Sequence, residues 1–320
     1  MKHALIACLA GLLAACAAPA ETPVPPTGKR VALSYDDAPR GDGRLFTGVD
    51  RTQALIEAWQ DAATGPVAIF ATTRGVEEAS GQARLEAYAE AGHRIANHTH
   101  THPWASRTDI SNYAAEIDRA ERLLDGLPNR RAWFRFPFLD EGGYGEDLAA
   151  ARQRRDALRE VLIERGLRNG YVTIDTYDWH LDSLLQRALE AGRSVDRAAL
   201  MRVYADMVVE AAAHYDRMAL DVLGERPAHV LLLHENDVAA IGTEAMVEAL
   251  RSDGWTIIDP DEAYRDPIFA EDPDTLFAGK GRLASLAREA GRSGAEYFDH
   301  WSSSESGIEA RVEAAGVFSD

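Results

Sequence analysis

The chain has 320 residues, 46% of them hydrophobic and 27% charged, so it can bury a substantial core as one large α/β domain or two smaller ones. Its formal net charge of -18 excludes general nucleic-acid binding and adhesion to an anionic membrane surface. Its two cysteines, Cys8 and Cys16, both stand near the N-terminus, which excludes a disulfide framework.

Lys2 and His3 precede an alanine- and leucine-rich run from Ala4 to Ala15 that is too short to span a bilayer and has the form of an export signal. The run ends in Leu13-Ala14-Ala15-Cys16, which resembles the bacterial lipobox, and that resemblance implies cleavage before Cys16 and its lipidation. With Ala17 rather than aspartate next, the implied location is the outer membrane, facing the periplasm, with no transmembrane span in the mature chain. Residues 1–15 then form a signal peptide and 16–28 a flexible, Pro/Ala/Thr-rich tether. Residues 29–260 form a catalytic domain, and 261–320 a partly helical extension, either packed on the domain or partly ordered.

Strands are expected at 30–35, 66–70, 95–97, 132–136, 170–174, 229–233 and 255–258. Helical spacing separates them at 50–62, 81–91, 109–124 (capped by Ser106 or Thr108), 147–165, 181–223 (broken near Gly192) and 239–251. Alternation of apolar strands with helices predicts a covered parallel sheet. Polar residues recur where the expected strands end: Asp36 and Asp37, His98, Arg135, Asp175 and His234. Ligand-handling groups in such folds gather at the carboxyl ends of strands, so one pocket explains the recurrence.

The densest of these ends is Asn97-His98-Thr99-His100-Thr101-His102-Pro103. On a helical turn His98 and His102 share a face and can chelate one ion, while His100 points away. A third ligand is required, and one of Asp36 and Asp37 can supply it while the other takes a proton from water. Arg135 is a natural partner for a carboxylate that must stay ionised, and Asp175 can hold the tautomer of His234. Glu141, Glu235 and Asp237 are expected at the rim as solvated acids. The chemistry is metal-assisted hydrolysis of an amide or ester.

Ser34-Tyr35-Asp36-Asp37-Ala38-Pro39, His98-x-x-x-His102-Pro103, Arg135-x-Pro137-Phe138, Asp175-x-x-Asp178-Trp179 and Leu231-Leu232-Leu233-His234 resemble, in order, the five motifs of the polysaccharide deacetylases. This family is also known as the NodB-homology domain or carbohydrate esterase family 4. The resemblance implies an α/β fold, a distorted (β/α) barrel of about seven parallel strands. It implies a divalent metal, zinc before cobalt or nickel, and removal of acetyl groups, chiefly N-acetyl, from a glycan. Carried over, Asp36 is the general base, oriented by Arg135. Asp37, His98 and His102 are the metal ligands. The Phe138 N–H helps hold the oxyanion, Trp179 and Leu232 line the acetyl pocket, and His234, supported by Asp175, is the general acid. Ala38 replaces a glycine of the family pattern, so the turn there must avoid positive φ or carry strain. Two other readings remain: the same machinery acting on a non-glycan amide or ester, and a catalytically silent carbohydrate-binding or envelope-structural protein. The sequence carries no interface signal for an oligomer.

Overall fold

The structure, a computed structural model, describes residues 28–319. The expected signal peptide, Cys16 and all of the tether before Gly28 lie outside the described residues. Strand β1 (Arg30–Ala38) is buried along nearly its whole length. It is flanked by β2 (Ala68–Ala71) on one side and β7 (Ala228–His234) on the other, both parallel to it. Beyond β2 come β3 (Arg94–Asn97), β4 (Arg130–Phe134) and the two-residue β5 (Arg168–Asn169). Strand β8 (Thr256–Ile257) pairs with the start of β1, at Arg30 and Val31, while β2 pairs from Ser34 onward. The result is an open, curled parallel sheet of seven strands, a distorted (β/α) barrel as expected.

The expected fifth strand at 170–174 is not a continuous strand. After β5 the chain leaves β4 and runs against β7, joined to it by one isolated bridge, Ile174 to Leu231, and by hydrogen bonds from Thr173 N and Ile174 N to the Val230 carbonyl. Gly170 N still donates to the Phe134 carbonyl at 2.6 Å, and a Cβ at this position would collide with the Phe70 ring.

Helices α1 (Gly48–Asp61), α2 (Ala79–Glu90), α3 (Ile110–Leu124), α4 (Leu148–Glu164), α5 (Asp178–Glu190), α6 (Arg197–Leu223) and α7 (Asp237–Ser252) cover the outside of the sheet. The break near Gly192 separates α5 from α6 and holds the short β6 (Ser194–Val195). Asp196 caps α6 at its start, and Gly224, at φ 76°, ends it in the left-handed conformation. Neither Ser106 nor Thr108 caps α3. Its N-cap position is Asp109, and Ser106 instead donates to Asp140. Leu148, expected inward, is exposed at the first turn of α4.

Residues 261–319 are packed on the domain. Helix α8 (Pro260–Ala263) leads into α9 (Gly281–Glu289), α10 (Ala295–Phe298), α11 (Glu305–Ala314) and β9 (Phe318–Ser319), which pairs antiparallel with β6. Leu283, Ala284, Ile308 and Val317 join the main hydrophobic core. Tyr177 N donates to the Ser302 carbonyl, so the extension braces the segment that leads into α5.

Candidate metal centre and proton-transfer site

Parallel register aligns the strand ends. Asp36 on β1 is the Cα partner of Phe70 on β2 and of His234 on β7, so the two titratable groups leave adjacent strands at the same level. Consecutive side chains on a strand normally face opposite ways. Here the β1–β2 register shifts between Asp36 and Ala38, and Asp37 takes φ 71° in the irregularity. An irregularity of this kind re-aims one side chain, which lets two neighbouring carboxylates serve one site. The positive φ thus falls on Asp37, and Ala38 avoids it.

The histidine segment is a loop, not a helical turn. Asn97 Oδ1 accepts from Thr99 N at 2.7 Å, and Thr99 Oγ1 accepts from His102 N at 3.0 Å. Thr99 and His102 both have positive φ, 68° and 61°. These turns, rather than helical i,i+4 spacing, bring the imidazoles of His98 and His102 together at 4.9 Å between centroids. Asp37, His98 and His102 each present one ligand atom, all within 4.8 Å of one another. His102 Nε2 lies 3.3 Å from Asp37 Oδ1, and His98 Nε2 lies 3.7 Å from it. His98 Nδ1 is 2.8 Å from the Arg135 carbonyl, which can only accept, so Nδ1 carries the proton and Nε2 keeps its lone pair for an ion. Burial lowers both histidines to about 4, which favours the neutral, ligating form. Burial alone would raise Asp37, but the field of His102, His234 and His98 outweighs it and holds the carboxyl at about 2. One carboxylate and two neutral imidazoles fit a divalent cation. His100 is outside this set: it is buried, with Nδ1 3.0 Å from Thr73 Oγ1.

Asp36 is held differently. Arg135 Nη1 donates to its Oδ1 at 2.5 Å, and its Oδ2 lies 3.5 Å from His98 Nε2. Arg135 is fully buried, donating also to the Gly170 carbonyl and the Tyr264 hydroxyl, with its guanidinium 3.7 Å from the Phe70 ring centre. Burial raises the Asp36 carboxyl to about 6 against the opposing pull of Arg135. Tyr264, in the segment after Pro260 where the sequence offered no chemistry, orients the guanidinium through hydrogen bonds to Arg135 and to Gly170.

The carboxylate behind His234 is Asp178, not Asp175. His234 Nδ1 lies 2.6 Å from Asp178 Oδ1, and Asp178 Oδ2 accepts from His234 N and from Asn236 Nδ2, each at 2.9 Å. Asp175 directly follows Ile174, which bridges to Leu231 of β7, whereas Asp178 stands in the first turn of α5, and it is from there that a carboxylate reaches the His234 ring. Burial would depress His234, but the Asp178 charge and hydrogen bond prevail and raise it to about 9. Asp175 is buried with Oδ2 unpartnered, and burial raises its carboxyl to about 7.

Phe138, at φ 59°, is 41% exposed, stacks on Trp104 at 4.0 Å and meets the His102 ring edge at 4.4 Å. Leu232 is buried on β7 two residues before His234, hence on the same face. Trp179 follows Asp178 in α5 and packs on Tyr177. Three acids expected at the solvated rim are buried in ion pairs instead. Glu235 meets Arg84, Asp237 meets Arg51, and Glu141 meets Arg159. Arg51 on α1 and Arg84 on α2 are themselves buried, and Arg159 on α4 is partly so.

A metal-ligand triad, a second carboxylate gripped by arginine and a protonated imidazole on the neighbouring strand make this a metal-dependent hydrolase site. No curated protein matches the chain. Among solved structures, a family 4 carbohydrate esterase from Streptomyces lividans in complex with acetate is 18% identical, with a TM-score of 0.44 over 74% of this chain and 95% of that one. The peptidoglycan deacetylase PdaC from Bacillus subtilis is 15% identical, with a TM-score of 0.44 over 76% of this chain and 94% of that one. Residues 24–155, which carry Asp36, Asp37, His98, His102, Arg135 and Phe138, match the sequence profile of the polysaccharide deacetylase family, and over that stretch the chain is similar to those enzymes.

Proposed function

We propose that the chain is a metal-dependent deacetylase that removes acetyl groups, N-acetyl foremost, from a polysaccharide or oligosaccharide. The observation that carries this reading is the pairing of the Asp37, His98 and His102 triad with an adjacent, separately held Asp36. A divalent ion at the triad, zinc before cobalt or nickel, supplies Lewis acidity that makes water acidic and polarises an acyl oxygen. Asp36, fixed by Arg135, takes the proton of the attacking water. Asp178 holds His234 protonated on Nδ1 and aims Nε2, from which the leaving nitrogen receives its proton as the tetrahedral species collapses. The Phe138 N–H is the protein donor assigned to the developing oxyanion, and Leu232 and Trp179 are assigned to the acetyl methyl.

A glycan rather than a small ester is favoured by the surroundings. Trp104, Phe138 and Tyr144 form an aromatic ledge beside His102, the last two each 41% exposed. An open groove also has Asp37 and His102 in its wall. Rings with an exposed face suit the apolar face of a sugar. Among the described residues no helix is long and apolar enough to cross a membrane. Lipidation at Cys16 and an outer-membrane, periplasm-facing location remain part of the proposal, resting on the Leu13-Ala14-Ala15-Cys16 pattern.

The test is acetate release from N-acetylated and O-acetylated sugar oligomers by the full chain, with and without a chelator. Release that the chelator abolishes and a divalent ion restores supports the proposal. A metal-loaded chain that releases no acetate from any glycan, but cleaves small amides or esters, overturns the glycan assignment.

A further inference from the structure

His100 is the one histidine of the Asn97 to Pro103 segment with no part in the triad. It is nonetheless only 3% exposed, and its partner Thr73 is fully buried. His100 Nδ1 lies 3.0 Å from Thr73 Oγ1, across 27 residues of sequence. A polar pair taken out of water in this way is held by the bond it makes.

The triad is drawn from two stretches of chain, Asp37 near the end of β1 and His98 and His102 after β3. Those strands do not pair with each other, because β2 stands between them. The residues that leave β2 span the gap. Thr72 N donates to the Ala38 carbonyl at 2.9 Å, next to Asp37. Thr73 N donates to the Thr99 carbonyl at 3.1 Å, and Arg74 N to the His100 carbonyl at 2.8 Å. The turn that follows, Thr73–Glu77, is wedged in place. A Cβ on Gly75 would collide with the Pro39 carbonyl, and one on Gly81 with the Gly75 carbonyl.

Asp37, Thr99 and His102 all have positive φ. Residues other than glycine keep that conformation only where their surroundings over-determine it. Two carbonyls and the His100 ring give the histidine loop three points of attachment to the turn after β2. Three points fix the orientation of the loop as well as its distance.

We infer that His100 and Thr73 form a positioning pair that sets the His98 and His102 imidazoles against Asp37 before an ion arrives. His100 touches neither ion nor substrate in this assignment and acts through the loop. The inference rests on the metal-ligand reading of the triad and needs no particular substrate. Ligand groups held in place beforehand lose less freedom on binding, so loosening the pair weakens affinity while the donor set stays intact.

The test is titration of the metal-free full chain with cobalt(II), followed by visible absorption, which reads affinity and ligand geometry without turnover. Thr73→Val keeps the side-chain shape and removes the hydroxyl, while His100→Leu keeps an apolar filling and removes the ring nitrogens. Each variant should still bind one cobalt ion per chain, with an altered absorption band. The Kd should rise about threefold to tenfold, short of the 10–100-fold of a group bonded directly to a ligand. The double variant should be no weaker than the weaker single one, because both substitutions remove the same bond. His100→Asn returns a donor and an acceptor near the place of Nδ1 and should stay close to the native chain. Should His100→Leu fail to fold, Thr73→Val alone decides. Native affinity and absorption in Thr73→Val, or a His100→Asn chain as weak as His100→Leu, overturns the pair. The expected cobalt contrasts without acetate release from any substrate overturn only the deacetylase reading. Acetate release from a chain whose cobalt binding ignores Thr73→Val overturns only the pair.

Discussion

His98, buried, and His234, partly buried, are imidazoles at strand ends of one sheet, yet they are prepared for opposite tasks. Each offers Nδ1 to an acceptor and leaves Nε2 for the chemistry. For His98 the acceptor is the neutral carbonyl of Arg135, and burial takes the ring to about 4. For His234 it is the Asp178 carboxylate, and the ring is carried to about 9. A neutral acceptor leaves a lone pair for a cation, whereas a charged one keeps a proton ready to give. The atom behind the ring, not the ring itself, separates ligand from acid.

The sharpest way to break the comparison is to remove the ring on the ligand side. His98→Ala should weaken ion binding by more than about 100-fold and abolish activity, since even outer partners of a ligand are worth about 10–100-fold. His100→Ala should leave the ion in place, because its Nδ1 faces Thr73. Atomic absorption on dialysed protein decides between them.

Removing the ring on the acid side should leave the ion bound. His234→Asn should lower kcat by about 10²–10⁴, the range of a lost general acid. Loss of metal from this variant would mean that His234 belongs to the ligand set.

A smaller and more specific effect is expected when only the acceptor behind His234 changes. The native rate should fall as pH rises through about 9, because the raised His234 loses its proton there. Asp178→Asn removes the charge that raises it, so the alkaline limb should move to lower pH. Asp175→Asn should move it least, since Asp175 makes no hydrogen bond to His234. A larger displacement from Asp175→Asn than from Asp178→Asn, read from pH–rate profiles, would contradict the assignment of the partner.

That last contrast also marks where the sequence stopped being legible. Apolar runs ending in Asp36, His98, Arg135 and His234 exposed the sheet and most of the site, because parallel strands deliver their polar ends to one rim. The same rule misplaced Asp175. It assumed one strand from 170 to Ile174, but the paired residues of β5 end at Asn169 and beyond them only Ile174 bridges to β7. Asp178 was visible two positions before His180, but only the packing of α5 against β7 sets it behind His234. The irregularity at Asp37 could not be foreseen from residue types, since a carboxylate at positive φ leaves no mark in composition. Tyr264 had no nearby motif at all. Its role depends on a contact with Arg135, 129 residues away in sequence.

The central claim is that adjacent carboxylates divide the work, Asp37 holding the ion and Asp36 taking the proton. Asp36→Asn tests it most directly, with metal stoichiometry and acetate release measured on the same preparation. The expected result is one bound divalent ion per chain, as in the native protein, with nearly all acetate release lost. An ion that leaves with the substitution, or release that continues at the native rate, would contradict the division.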